Sequence, residues 1–386
     1  MANKISRRAL GLASLGAAAL GGAAAPSPET AGYTGPLDGF KDKVPLDSFD
    51  SLTWTRRRYE QAPLAMTYQG GSAGKTEEWQ RTLRAKLADL VGGFPPERVP
   101  LASQTLEVRD FPTYRREKFV FESRPALYVL GYLLTPKNLD PPHRTMICVP
   151  GHGRGVDDLV GIDEKGAGRG EREFYQYDFA LQAVEKGMAA LAIEPLGFGC
   201  RRDQKSRDKG LKQSSCQPSA GAALLFGETM IGWRVYDLMR TIDWIETRDD
   251  LDANRVGCMG ISGGGTCTTF SAALEPRIKA AYISGYLNSF RDSILSIAHC
   301  IDNYVPGILK WCEMYDVAGL IAPRPLFVES GDKDNIFPVE ASIASFEKVK
   351  QVYAAFDRAD LAEQEVFDGE HKFWGKRGLP FVARHL

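Results

Sequence analysis

The chain has 386 residues, 44% hydrophobic and 25% charged, with a formal net charge of −1. That length and composition allow one large globular domain or two modest ones and exclude a disordered or fibrous chain. The balanced charge excludes an extended nucleic-acid surface, which needs clustered Lys and Arg, and the basic stretch Arg201 to Lys212 is diluted by Asp203 and Asp208. Seven cysteines are too few for a disulfide scaffold, and their spacings form no paired zinc-ligand motif. Cys200 and Cys216 bracket a polar loop and are candidates for a bridge in an oxidising compartment.

Residues 1–25 read as an export signal. Lys4, Arg7 and Arg8 form a basic start, Ala9 to Leu20 a small-apolar run, and Ala23-Ala24-Ala25 a cleavage site. Ser6-Arg7-Arg8-Ala9-Leu10 resembles a bacterial twin-arginine signal, which implies a periplasmic or extracellular protein. No later segment nears membrane-spanning length. Residues 26–105 make a Pro- and Gly-punctuated leader and a helical extension, in which Leu83, Leu87 and Leu90 place one apolar stripe on a helix over Glu77 to Leu90. Gly92-Gly93 and Pro95-Pro96 end that helix.

Residues 106–386 form the main domain. Strands are expected at Lys118 to Glu122, Leu127 to Leu134 and Thr145 to Val149, then helix Phe174 to Lys186 and strand Ala189 to Ile193. Helix Thr229 to Glu246 leads to strand Arg255 to Met259, and later strands fall at Ala280 to Ser284, Leu326 to Glu329 and Glu365 to Phe367. Early antiparallel-looking strands followed by strand-helix units predict an α/β fold, a mostly parallel sheet covered by helices on both faces. Ligands of such sheets bind beyond the carboxyl ends of the strands. The loops there are Pro150 to Gly155, Gly260 to Gly265, Gly331 to Pro338 and Asp368 to His371.

Gly260-Ile261-Ser262-Gly263-Gly264 fits G-x-S-x-G, in which a strand turns sharply into a helix and presents the serine at the sheet edge. Val256 to Met259 and Thr266 to Leu274 supply the flanking strand and helix. A serine hydroxyl needs a base, and the base needs an orienting acid. Of five histidines, His371 follows the last strand and satisfies the chain order nucleophile, acid, base; His299 is the alternative. Asp332 and Asp334 both qualify by position as the acid. The oxyanion donors expected are the N–H groups of Gly263 and of Arg154 in the early glycine loop. Two nucleotide-like patterns fail: Gly70 to Thr76 has Gln69 where a P-loop needs glycine, and Val156 stands at the last glycine of a dinucleotide fingerprint. No cofactor and no metal are implied.

The stretches Val149 to Gly155, Glu194 to Gly199, the serine turn, Ala322 to Pro325 and Glu329 to Pro338 together resemble the acetyl-xylan-esterase-like and dienelactone-hydrolase-like branch of the α/β-hydrolases. The resemblance covers roughly Arg144 to Phe373. It implies an α/β-hydrolase fold and a serine ester hydrolase acting through an acyl-enzyme on small-molecule, acetyl-type esters, those of carbohydrates included. It places the acid at Asp334, from Gly331 and Pro338. Rival readings are a serine exopeptidase, for which no gating domain is evident, and a non-catalytic carbohydrate-binding protein. Phe290, Tyr304, Trp311 and Tyr315 are candidate pocket walls.

Overall fold

The computed structural model describes Gly35, Lys43 and residues 45–386 apart from residue 173. The expected export signal therefore lies outside the described residues. A short 3₁₀ turn, Leu46–Phe49, precedes helix α1 (Ser51–Glu60), whose first N–H groups are received by Asp50, from Leu52 at 3.0 Å and Thr53 at 3.1 Å. Helix α2 (Ala73–Leu90) follows, then strands β1 (Gln104–Asp110), β2 (Tyr114–Arg124), β3 (Leu127–Pro136) and β4 (His143–Val149). Helix α3 (Phe179–Glu185) leads to β5 (Ala189–Ile193), and helices α4 (Gln204–Asp208), α5 (Cys216–Leu225) and α6 (Met230–Ile245) to β6 (Leu251–Ile261). Then come α7 (Gly263–Leu274), β7 (Ala280–Ser284), α8 (Met314–Gly319), β8 (Leu326–Gly331), α9 (Val339–Ala354), β9 (Ala362–Phe367) and α10 (Gly378–His385).

The strands form one sheet in the order β1-β2-β3-β5-β4-β6-β7-β8-β9. The first three strands and β5 pair antiparallel, and every pairing from β5 across to β9 is parallel. Successive strand residues point to opposite faces. Along β4, Ile147 and Val149 join one buried cluster while Met146 and Cys148 join another. Both faces are therefore packed, which is why these strands read as unbroken apolar runs. Helix α2 packs into the first cluster through fully buried Leu83 and Leu87, so the N-terminal helix is part of the core that covers the sheet. The boundary drawn at residue 106 falls inside β1.

One strand was not expected from the sequence, and one expected helix starts later than its pattern indicates. Strand β1 carried no signal because it lies at the edge with almost every residue exposed, so no alternation of apolar and polar residues marks it. The helix expected from Phe174 starts only at Phe179, because Phe174, Tyr177 and Asp178 have positive φ (62°, 53° and 50°) and form an irregular loop. That loop reaches the site described next.

Strand β4 has β5 on one side and β6 on the other, so the loops leaving β4 and β6 diverge at a topological switch point. Val149 pairs with Gly260 at these strand ends, and Gly331 pairs with Phe367 at the ends of β8 and β9. All four glycine-containing loops thus emerge from one edge of the sheet.

Candidate functional site

Ser262 occupies the single residue between β6 and α7, with φ 57° and ψ −123°. For a residue with a Cβ this conformation costs about 1–3 kcal/mol and persists only when the surroundings enforce it. Here they do. The Ser262 N–H donates to the Ser284 carbonyl at 3.1 Å, and the Ser262 carbonyl accepts from the Thr266 N–H at 2.8 Å. The flanking glycines allow the crossing: a Cβ on Gly264 would lie 1.9 Å from the Val149 carbonyl oxygen. A Cβ on Gly260 would lie 2.5 Å from the Gly264 backbone. The sequence pattern G-x-S-x-G is the trace of this close packing between β4, β6 and α7.

Asp334 lies just beyond β8 and is buried. Its Oδ2 is 2.6 Å from His371 Nδ1, and its Oδ1 accepts from the N–H groups of Ile336 at 2.9 Å and Phe337 at 3.0 Å. Both carboxylate oxygens are engaged, so the group is held in one orientation. Asp332 is exposed and its Oδ1 accepts from the Gly369 N–H at 2.9 Å, which ties the β8 and β9 loops together. Sequence order left these two aspartates unresolved, and the fold separates them.

The His371 ring lies between Tyr175 and Phe337, with centroids at 5.6 and 5.7 Å and planes inclined by 23° to each. Its Nε2 is buried and has no hydrogen-bond partner among the described residues. The ring edge opposite Asp334 thus carries no hydrogen bond from the described residues. Gly285, the residue after Ser284, brings the serine turn and the imidazole together, since a Cβ there would sit 3.0 Å from His371 Cε1 and 3.6 Å from Asp334 Oδ2. Glu329 braces the histidine loop by accepting from the N–H groups of Trp374 at 2.9 Å and Gly375 at 3.0 Å. Burial pushes its carboxyl above the usual range.

His299 lies near, 5.5 Å from the Phe337 ring, but neither ring nitrogen has a hydrogen-bond partner among the described residues, and burial lowers its pKa. An unoriented imidazole is a poor base. Phe290 and Tyr304 line a cavity of about 250 Å³ with Tyr59 and Ile294 that includes neither Ser262 nor His371. Tyr315 faces a different cavity, and Trp311 packs under the Lys86 ammonium at 4.7 Å.

The glycine loop after β4 corrects one expectation. The Arg154 N–H donates to Asp158 Oδ2 at 2.9 Å, and the Arg154 side chain also bonds Asp158 and the Ile162 carbonyl, so this N–H is spent on the loop's own fold. The Gly151 N–H donates to Gln176 Oε1 at 2.9 Å. Among the described residues the His152 N–H has no hydrogen-bond partner, while the His152 carbonyl accepts from Tyr175 Oη at 2.5 Å. A Cβ on Gly263 would lie 3.3 Å from His152 Nδ1, which puts His152 beside the first turn of α7. Burial opposes charge on His152, but its hydrogen bond with Cys216 and the Asp302 carboxylate outweigh burial and raise its pKa.

Sequence reasoning missed Tyr175 and Gln176, which it had placed within a helix. The positive φ values of their loop leave no signature in a non-glycine sequence. It also missed Glu194, whose carboxyl is buried against Gly155 and Gly199 and pushed up to about 8 by burial. The candidate bridge between Cys200 and Cys216 is not formed: both are free thiols, the first exposed and the second buried.

The model of the Abhydrolase family matches residues 63–344. The chain belongs to the Abhydrolase family. Its α/β-hydrolase fold agrees with the architecture above. YtaP of Bacillus subtilis (strain 168), provisionally named a hydrolase, is 26% identical over 286 residues, 72% of this chain and 89% of that protein. Among solved structures, this abhydrolase is similar to a Bacteroides fragilis NCTC 9343 protein provisionally named an acetyl xylan esterase (TM-score 0.71, 18% identity, 82% of each chain). It is also similar to a glucuronoyl esterase from Solibacter usitatus (TM-score 0.62, 15% identity, 83% of this chain and 96% of that one). No helix of the described residues is long and apolar enough to cross a membrane.

Proposed function

We propose that the chain is a serine carboxylic ester hydrolase that transfers small acyl groups to water through an acyl-enzyme on Ser262. The observation that carries this reading is the 2.6 Å contact between Asp334 Oδ2 and His371 Nδ1, with the opposite imidazole nitrogen unpartnered near the serine turn. Ser262 Oγ attacks the ester carbonyl while its proton passes to His371 Nε2. Asp334 keeps the proton on Nδ1 and stabilises the imidazolium. His371 then protonates the leaving alcohol, and a water deprotonated by the same nitrogen releases the acid.

The negative oxygen of each tetrahedral intermediate needs fixed donors. The Gly263 N–H, first in α7, provides one together with the positive end of that helix. The second falls to the His152 N–H, which is uncommitted and belongs to the residue alongside Gly263. The solved relatives named as carbohydrate esterases support an acyl or carboxyl ester of a carbohydrate as substrate, and the twin-arginine-like start supports an exported enzyme. Fluorophosphonate labelling with acetyl-ester turnover tests the reading. Ser262→Ala abolishes both and leaves the thermal midpoint nearly unchanged, because a half-buried hydroxyl without a side-chain hydrogen bond contributes little to packing. Labelling that survives in the variant refutes the nucleophile; hydrolysis of amino-acyl anilides in preference to acetyl esters refutes the ester class.

A further inference from the structure

Four side chains with metal-binding atoms converge behind the glycine loop. His152 Nε2 is 3.2 Å from Cys300 Sγ, 3.6 Å from Cys216 Sγ and 3.6 Å from Asp302 Oδ2. Cys216 Sγ is 3.2 Å from Asp302 Oδ2, and all four ligating atoms lie within 4.8 Å of one another. Zinc–sulfur bonds of about 2.3 Å and zinc–nitrogen or zinc–oxygen bonds of about 2.0–2.2 Å, arranged tetrahedrally, give ligand–ligand edges of roughly 3.3–3.8 Å. The four measured edges lie within about 0.4 Å of that geometry. The ligands come from the loop after β4, the first residue of α5 and the segment 300–302, so no short spacing in the chain announces them.

The surroundings suit a divalent cation. Two thiolates, one carboxylate and a neutral imidazole carry three negative charges, which a divalent ion and the Arg234 guanidinium balance. Arg234 Nη1 donates to Asp302 Oδ2 at 2.6 Å with both side chains almost wholly buried, and its Nη2 is 3.5 Å from Cys216 Sγ. Asp302 Oδ1 accepts from Asn303 Nδ2 at 2.9 Å, and Asn303 Oδ1 accepts from Thr266 Oγ1 at 2.6 Å. This outer shell orients the ligands and runs into the first turn of α7, just after Ser262.

We propose that His152, Cys216, Cys300 and Asp302 form a tetrahedral site for a borderline-soft divalent cation of the zinc type. Four protein ligands leave no open position, so the ion is structural. It holds the loop that bears the His152 N–H against α5 and the segment 300–302. The site stands on ligand geometry alone, independent of the ester-hydrolase reading, and its test uses no turnover.

The full chain, reduced and stripped with a chelator, is titrated with Co²⁺ and then with Zn²⁺. One equivalent of Co²⁺ produces thiolate charge-transfer and tetrahedral ligand-field bands, which zinc abolishes, and zinc raises the thermal midpoint. Cys216→Ser and Cys300→Ser each weaken binding by more than the roughly 10–100-fold that loss of an outer-shell partner costs. Cys200→Ser, at an exposed thiol outside the cluster, leaves binding unchanged. No thiolate band at stoichiometric Co²⁺, or bands that persist in folded Cys300→Ser, overturns the site. So does recovery of Cys216 and Cys300 joined as a disulfide. Should the serine variants not fold, zinc X-ray absorption of the unaltered protein decides: two sulfur scatterers at about 2.3 Å support the site, and light atoms alone overturn it.

Discussion

Replacing Asp334 with Asn changes one atom, and its consequence follows from the partners of the two carboxylate oxygens. Oδ1 receives two backbone N–H groups, from Ile336 and Phe337, and Oδ2 meets His371 Nδ1 at 2.6 Å. An asparagine must keep its carbonyl oxygen toward the two N–H donors, because turning its NH₂ there would set donors against donors. Its NH₂ therefore faces Nδ1. The imidazole then accepts at Nδ1 and carries its proton on Nε2, the tautomer that cannot take a proton from Ser262. Loss of an orienting carboxylate in such triads costs about 10⁴ in turnover, or about 5 kcal/mol of barrier. Expected for Asp334→Asn is therefore a kcat reduced by about 10⁴ with KM changed little, read on a chromogenic acetyl ester. Asp332→Asn keeps an oxygen that can accept from the Gly369 N–H in an exposed place, so its turnover falls by less than about tenfold. The reverse ranking, or an Asp334→Asn enzyme within tenfold of the parent, refutes the tautomer argument.

Gly151→Ala would place a Cβ 2.7 Å from the Ile261 carbonyl and 3.1 Å from Ser262 Cβ, where backbone cannot yield. The variant should lose about 1–3 kcal/mol in denaturant unfolding and more than tenfold in kcat; unchanged values in both would show the serine turn to be more compliant than its packing implies. Glu194, raised to about 8 from the ordinary carboxyl value, keeps its proton in the fold over a range where the unfolded chain has released it. Stability from this group is full below the unfolded carboxyl pKa and is lost as pH rises toward 8, so Glu194→Gln should flatten the decline of the melting temperature across that window, and a parallel decline would refute the assignment. The mature exported chain should begin near Pro26, with Lys at positions 7 and 8 blocking export; exported protein that retains Met1 contradicts this.

The sequence alone carried what depends on near neighbours along the chain. The apolar runs Met146 to Val149 in β4, Ala189 to Ile193 in β5 and Ala280 to Ile283 in β7 marked strands buried on both faces, and the small residues around Ser262 marked a turn too tight for side chains. Chain order also singled out His371 over His299. Contacts between segments far apart in the chain leave no such periodic trace. Spacing alone left Asp332 and Asp334 open and the resemblance pointed to Asp334; which carboxylate meets the imidazole and which meets the Gly369 N–H is set by how the loops after β8 and β9 pack together, and the commitment of the Arg154 N–H by how a loop folds against Asp158. Tyr175 reaches His371 only because its loop adopts positive φ, which no glycine advertises. The meeting of His152, Cys216, Cys300 and Asp302 needs three segments brought together by the order of strands in the sheet. Local spacing encodes turns and faces; which distant side chains touch is decided by the packing of helices and loops across the switch point at β4.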